Sequence, residues 1–229
     1  MSNSRASYFL NFSPNGCLQQ TEFSMDAIKF GANIIGIKNN SGGFLFIEKC
    51  TESRIAEYQG CSKIDLFSKY SCCAISGLTA DARFLFEKTL VYIQNNLFMF
   101  NCLPGTEKCA KKIRDFISFS SFEDNKEFVS SRPFGVAFIL MGRDLSGLSL
   151  FQIDPSGEYS STEHCSLGGG SIESDFLIEE GHRKKMSFFD TKNFATKIFK
   201  SILKKEMEKS KIEFAFLENK KSKILLSFL

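Results

Sequence analysis

Cysteine and histidine are the residue types best suited to binding a metal, and cysteine can also form disulfides or act as a nucleophile. This sequence has eight cysteines and two histidines. No two cysteines have the Cys-x-x-Cys spacing of a zinc site, and the His164–Cys165 pair lacks a second spaced pair. We therefore predict small buried hydrophobes and free thiols, with no metal or other cofactor. A cysteine-rich metal-binding module is the alternative, which stoichiometric zinc would support. The eight are Cys17, Cys50, Cys61, Cys72, Cys73, Cys102, Cys109 and Cys165.

Two other patterns invite a catalytic or binding interpretation. Gly168-Gly169-Gly170 precedes a predicted helix, and helix N-terminal amides attract anions such as phosphate. The segment lacks the Lys-Ser/Thr of a P-loop, so a tight strand-to-helix turn is the better interpretation. His164 and His182 lie among polar residues without a convincing triad, and we predict surface histidines.

Composition narrows the classes of partner. The 229 residues are 43% hydrophobic and carry a net charge of +3, which suits one compact domain. The lysine clusters are typical of solvated helix faces or termini, so no nucleic acid is expected. No window approaches the roughly 18 apolar residues of a membrane span. The polar segment Met1–Ser7 lacks the apolar stretch of a secretory signal, and we expect an intracellular protein with no membrane partner.

The elements that must position any site follow from turn signals and apolar periodicity. Gly31 is predicted to end the first helix, and Thr79 to cap the second. The predicted elements are a helix from about Cys17 to Phe30, strands at Asn33–Lys38, Phe44–Lys49, Lys63–Phe67 and Ser71–Ser76, helices after Thr79 and over Thr106–Phe122, strands at Pro133–Met141 and Leu148–Ile153, a short strand after the Asp154–Gly157 turn, helices at Ser171–Lys185 and Asp190–Lys209, and strands at Glu213–Leu217 and Lys223–Phe228.

Strands and helix pairs are segregated along the chain, which favours an α+β protein over a doubly wound sheet. The strand at Pro133–Met141 is apolar on both alternations and must be covered on both faces. We therefore predict a four-layer αββα sandwich: two antiparallel sheets face to face, each covered on its outer side by a helix pair.

Five short motifs occur in an order that resembles a known family. They are Phe12–Gly16 with Gln20–Ser24, Ala27–Gly31 with Ile35–Ile37, Ser76–Arg83, Ser131–Ala137 and Asp154–Gly157. Together they resemble the alpha subunits of the 20S proteasome, most of all alpha type-5. The fold that this resemblance implies is the N-terminal-nucleophile hydrolase sandwich, which agrees with the layers predicted above.

The resemblance implies a subunit without catalytic activity. The related beta subunits use a free N-terminal Thr as nucleophile and base, at the start of the first strand. Here Gly31-Ala32 precedes that strand, and the preceding helix resembles the permanent helix of alpha subunits. Glu48 and Lys63 match beta-subunit site positions and are expected to be structural or docking residues. The alternative is an active peptidase on the same fold, which a mature chain beginning near residue 33 would support.

The resemblance also implies a gate and a docking pocket. Alpha subunits form seven-membered rings whose N-terminal tails obstruct the pore, and activators insert C-terminal tails into pockets between them. Lys63 matches the pocket lysine of a Glu-Lys-Ile pattern in which Ser62 replaces Glu, and an ammonium pairs with a terminal carboxylate. Pro14 and Gly16 match the reverse turn at the base of the tail. The simpler alternatives are a strand-edge lysine and an ordinary turn into the first helix.

Further expectations follow from the same resemblance. Residues 1–16 would be the gate tail and turn, and residues 17–229 one sandwich domain. The partners would be alpha4-like and alpha6-like neighbours, beta subunits and a regulatory particle or other activators, in cytoplasm and nucleus, for ubiquitin-dependent degradation. The tail departs from the family pattern: Arg5-Ala6-Ser7 occupies the Tyr-Asp-Arg position, and Cys17 and Phe23 replace the usual Arg and Tyr. We expect its hydrogen bonding in the gate to differ accordingly.

Overall fold

Two five-stranded antiparallel sheets form the centre of the molecule. The computed structural model describes residues 12–14, 16–50, 62–119, 132–183, 185–202, 210–218 and 224–228. Its elements are α1 (Gln19–Lys29), β1 (Ile34–Lys38), β2 (Gly42–Cys50), β3 (Ile64–Ser68), β4 (Ser71–Gly77), α2 (Thr79–Phe100), α3 (Thr106–Phe119), β5 (Val136–Asp144), β6 (Gly147–Ile153), β7 (Tyr159–Ser161), β8 (His164–Leu167), α4 (Ser171–Gly181), α5 (Phe188–Ile202), β9 (Ser210–Glu218) and β10 (Ile224–Phe228).

The strand orders define two sheets that we call sheet A and sheet B. Sheet A has the order β10-β9-β2-β1-β8, and sheet B has the order β3-β4-β5-β6-β7. The β1–β2 hairpin is in register from Ile34 opposite Ile47 to Lys38 opposite Gly43. The predicted turn at Asp154–Gly157 is also present, because the Gly157 N–H donates to the Asp154 carbonyl over 3.0 Å before β7 begins.

Three apolar clusters give the sandwich its four layers. The inner cluster joins Leu45 and Ile47 of sheet A to Ala137, Ile139 and Met141 of sheet B. The other alternation of β5 packs against α2 and α3, and the outer face of sheet A packs against α4 and α5. The predicted αββα sandwich is therefore confirmed. Its strands are apolar on both faces because both faces are buried.

The helices that cover the sheets are amphipathic at helical spacing. Ala82, Leu85, Thr89 and Ile93 are the buried stripe of α2, and Ala195 lies in the corresponding stripe of α5. The helix α1 has a different place, since it contacts β4 and β5 at one end of the sandwich. Within the described residues, no helix is both long and apolar enough to span a membrane.

Several predicted details were wrong. Thr79 does not cap α2; Leu78 is the N-cap residue and makes no side-chain capping hydrogen bond. The strand β8 was missed, because its four residues alternate only weakly. The helix predicted to reach Lys185 ends at Gly181, where the backbone turns extended at His182. The strand predicted from Pro133 begins at Val136, because the Gly135 N–H is bonded to Asp81 and not to a neighbouring strand.

The cysteines divide into two groups. Cys72, Cys73, Cys109 and Cys165 are buried free thiols, as predicted, and burial raises the pKa of Cys72 to about 12. Cys17 and Cys102 are exposed, so the prediction of burial was wrong for them. Cys61 and the Cys50 side chain lie outside the described residues. Over the described ranges, no group of three or more His, Cys, Asp and Glu side chains is arranged to hold a metal.

Candidate functional site

Lys63 immediately precedes β3, at the edge of sheet B, and its side chain is half-buried. Its backbone N–H lies 3.4 Å from Oε2 of Glu213. The Ser62 hydroxyl donates to the other carboxylate oxygen, Oε1, over 2.5 Å. Glu213 belongs to β9 of sheet A and is only 2% exposed. The start of β3 is therefore attached to the opposite sheet by a buried carboxylate.

Charged residues are concentrated around this attachment. Burial raises the pKa of the Asp65 carboxyl, the nearby Arg83 guanidinium lowers it, and Glu213 raises it. Lys63, Arg83, Asp65 and Glu213 thus combine two cations with two carboxylates at one corner of the sandwich.

Glu48 lies on the outer face of sheet A and is 6% exposed. Its Oε2 accepts a hydrogen bond from Nδ2 of Asn33 over 2.8 Å. The Asn33 Oδ1 in turn accepts the Gly170 N–H over 2.8 Å. Glu48 therefore stabilises the start of β1 and, through Asn33, the start of α4.

The glycine-rich segment has the structural role predicted for it. Gly168–Gly170 connect β8 to α4 as a tight turn. The Gly170 N–H that a phosphate would need is taken by Asn33, and an added Cβ at Gly168 would approach the Ala32 carbonyl to 2.7 Å. The segment packs against protein backbone.

Glu48 and Lys63, which were expected to correspond to one site in beta subunits, have different described partners here. Glu48 is opposite Ile212 in the β2–β9 ladder, and Ile47 is opposite Glu213. Because side chains alternate along a strand, Glu48 faces the helix layer while Glu213, the partner of Lys63, faces the other sheet.

The residues predicted to form the gate turn do form a reverse turn. The Gly16 N–H donates to the Ser13 carbonyl over 2.9 Å, and the Ser13 N–H donates to the Cys17 carbonyl over 2.8 Å. Gly16 has φ of +83°, a conformation that glycine adopts without strain. Pro14 and Gly16 are exposed just before α1. Residues 1–11 and Asn15, the rest of the predicted tail and turn, lie outside the described residues.

Three of the family-like motifs meet where α1 joins the sandwich. The Asp81 carboxylate accepts two hydrogen bonds from Arg132, of 2.7 and 2.8 Å, and one from the Gly135 N–H of 3.1 Å. The Ser76 hydroxyl lies 3.1 Å from the Ala32 carbonyl, which it can reach as donor. Gly77 has φ of +114° and has no room for a Cβ against the Gly135 carbonyl. This junction holds α1 against β4 and β5.

The first strand lacks the chemistry of a beta-subunit site. It begins at Ile34, and residues 31–33 continue from α1 through ordinary peptide bonds. A Thr with a free amine is needed there for N-terminal-nucleophile catalysis. The residues at this junction are Gly31, Ala32 and Asn33.

The two histidines are not isolated on the surface. The rings of His164 and His182 lie 6.0 Å apart and both side chains are partly buried.

A separate cleft of about 430 Å³ is lined by the β3–β4 turn, the loop before α3 and the β5–β6 turn, and it contains none of the predicted site residues.

Glu213 and Asn33 are the site residues that sequence reasoning missed. Glu213 is the first residue of a predicted strand, and a single charge within Ile212–Leu217 is a signal in the sequence, because a charged residue is rarely buried without a partner. Asn33 carried no signal, because its partners lie on other elements.

Comparison with known proteins agrees with this geometry. The family described as "Proteasome subunit" matches residues 28–217. The chain is 33% identical over 205 residues to the probable proteasome subunit alpha type-5 of Schizosaccharomyces pombe, covering 89% of this chain and 83% of that protein. It is 31% identical to proteasome subunit alpha type-5 of Dictyostelium discoideum, covering 90% and 85%. The same type from Drosophila melanogaster is 31% identical, covering 88% and 84%.

The four-layer sandwich, with α1 packed ahead of its first strand, defines an α+β protein of the αββα class. The chain belongs to the proteasome subunit family. Its similarity to alpha type-5 subunits confirms the resemblance inferred from the five motifs.

Proposed function

We propose that this chain is an alpha-ring subunit of the 20S proteasome core particle that contributes to ring assembly, axial gating and activator docking for ubiquitin-dependent protein degradation. Its non-catalytic character and its assembly with other proteasome subunits follow from its family and from the alpha type of its relatives. The gate, the pocket and the particular neighbours belong to the proposal.

Lys63 carries the docking part of the proposal. Its ammonium takes part in none of the ion pairs found within the described part of the chain, although it lies at a partly exposed strand start. A lysine in that state can pair with the terminal carboxylate of an incoming tail. The turn at Ser13–Gly16 supports the gating part, because it lies at the base of the N-terminal segment.

The remaining parts of the proposal concern organisation. Residues 1–16 serve as the gate tail and turn, and residues 17–229 as the sandwich domain. An alpha4-like and an alpha6-like subunit flank the chain, beta subunits lie beneath it, and a regulatory particle or another activator docks on it. The particle works in cytoplasm and nucleus.

The test is Lys63→Ala in the assembled core particle. A photoactivatable peptide with a free C-terminal carboxylate is titrated, and its cross-linking to this chain is measured by mass spectrometry, which separates this pocket from the others. We expect about tenfold weaker binding, the value of one charge-assisted contact. Lys69→Ala, at an exposed lysine of the β3–β4 turn, is the matched control. Unchanged binding in Lys63→Ala would contradict the docking role.

A further inference from the structure

Glu213 is a buried carboxylate placed directly behind the candidate docking lysine. We propose that Glu213, acting through Ser62, is a positioning residue that holds the backbone at Lys63 so that the lysine ammonium faces the incoming carboxylate. This inference rests on the docking function proposed for Lys63. It adds a residue 150 positions away in sequence, on the other sheet.

The two oxygens of Glu213 bind two successive residues. Oε1 accepts the Ser62 hydroxyl over 2.5 Å, and Oε2 lies 3.4 Å from the Lys63 N–H. The Ser62 contact is short and the Lys63 N–H contact is long, so the hydrogen bond from Ser62 is the stronger of the two. Because one rigid carboxylate contacts both residues, it restrains the orientation of the peptide that joins them.

The Ser62 hydroxyl transmits this restraint into β3. Its oxygen accepts the Ile64 N–H over 3.1 Å, and its single proton has two acceptors within reach, the Ile64 carbonyl at 2.8 Å and Glu213 Oε1 at 2.5 Å. The contact with Glu213 is the shorter of the two, so we assign the proton to Glu213. The carboxylate, the hydroxyl and the first residue of β3 form one connected chain.

Two neighbours of Glu213 on the inner face of sheet A are apolar. They are Ile47 across the ladder and Ala215 along the strand, both fully buried. A carboxylate beside such residues costs free energy unless donors satisfy it, and Ser62 and the Lys63 N–H are the donors found here. What the carboxylate adds is the hold on residues 62 and 63.

Positioning matters here because a lysine side chain is long and flexible. Its four-carbon chain has many rotamers, and the entropy lost on pairing is smaller when the backbone that carries it is already fixed. Residue 62 is also where this sequence has Ser instead of the Glu of the family pattern. A hydroxyl can donate to Glu213, whereas an ionised carboxylate at that position could only accept.

The experiment measures Lys63 itself within the assembled core particle. Acylation of the Lys63 amine by an amine-reactive ester is followed by mass spectrometry, with increasing amounts of a peptide that has a free C-terminal carboxylate. The same peptide with an amidated C-terminus is the control ligand. We expect Ser62→Ala and Glu213→Gln to raise the peptide concentration that protects half of Lys63 by about three- to tenfold. Ser62→Thr keeps the hydroxyl, and its half-protecting concentration should equal that of the wild type.

Glu48→Gln is the matched control variant, because Glu48 is an equally buried carboxylate on the other face of the same sheet. We expect it to leave the protection of Lys63 unchanged. If the free-carboxylate peptide protects wild-type Lys63 no better than the amidated peptide, the docking function itself fails. If it does protect but Ser62→Ala and Glu213→Gln match wild type, or Glu48→Gln weakens protection equally, the positioning role is overturned. Ser62 is exposed, so its variant tests the proposal without a change in the core.

Discussion

Glu48 and Glu213 lie on neighbouring strands of one sheet, one row apart, and are both buried, yet they face opposite sides. Glu48 faces the helix layer and connects β1, β2 and α4 through Asn33. Glu213 faces the other sheet and connects β9 to the start of β3. The comparison teaches that the face of a strand decides the role of a buried charge. On the outer face it stabilises one half of the sandwich, and on the inner face it positions a surface residue.

The largest expected effect is a loss of folding stability in the variant Asn33→Asp, which changes the hydrogen-bond partner of Glu48. One oxygen of the new carboxylate still accepts the Gly170 N–H. The other replaces the Asn33 Nδ2 that donates to Glu48 Oε2, and so lies about 2.8 Å from that carboxylate oxygen. Two carboxylates this close cannot both ionise cheaply, so we expect a loss of about 3 kcal/mol in the free energy of unfolding at neutral pH. The pKa of one carboxyl would be raised in the folded state, and stability should recover as pH falls through it.

Urea denaturation between pH 5 and pH 8 checks this prediction. Asn95→Asp, the same substitution at an exposed position of α2, is the control and should change little. A loss for Asn33→Asp that is the same at both pH values would show that the Asn33–Glu48 bond does not carry the effect.

An intermediate effect is expected from replacing each glutamate by leucine. Glu48→Leu leaves the Asn33 amide unpaired in a partly buried position, which costs about 2 kcal/mol. Glu213→Leu should cost less than half as much, because the inner face is apolar and the exposed Ser62 can bond to water. The two free energies of unfolding, from urea titrations of the full chain, test the contrast. Equal losses would remove the distinction between the two faces.

The smallest effect concerns Asp65, which lies near Glu213. Burial and the Glu213 charge raise its pKa, so its ionised form is unfavourable in the folded state. Asp65→Asn should therefore stabilise the protein at neutral pH, by no more than about 0.5 kcal/mol because the side chain is only half-buried and solvent screens it. The gain should fall as pH drops through the raised pKa, where Asp65 itself becomes neutral.

Thermal unfolding of Asp65→Asn at pH 8 and at successively lower pH values, alone and combined with Glu213→Gln, measures this coupling. The double variant should gain less from the Asp65 substitution than the wild-type background does. Equal gains in both backgrounds would mean that Glu213 does not act on Asp65.

Much of the fold was predictable because it depends on neighbours in sequence. The stripe of Ala82, Leu85 and Ile93 indicates α2, and the doubly apolar β5 indicates a strand covered on both sides. The weak strand β8 and the true start of α2 were not predictable, since β8 is defined only by its pairing with β1. Thr79 has the residue type of a cap, but Leu78 takes the position because its N–H is bonded to the Gly135 carbonyl.

The candidate site was predictable only in part. Lys63, Glu48, Pro14 and Gly16 came from motif resemblance, and the turn at Gly16 is present as predicted. The motifs Ala27–Gly31, Ser76–Arg83 and Ser131–Ala137 were recognised separately, and nothing in them indicated that the Asp81 carboxylate would bind Arg132 and the Gly135 N–H.

The sequence by itself determined most helices and strands and their order apart from β8, the layers they form, the family, and the absence of a Thr at the start of the first strand. Those properties depend on residue type and on spacing within a few positions. Only the tertiary structure decided that Ser62 meets Glu213 across 151 positions, and that Glu48 and Glu213 face opposite sides. Strand register and sheet packing set those contacts, and a shift of one residue would have exchanged the faces.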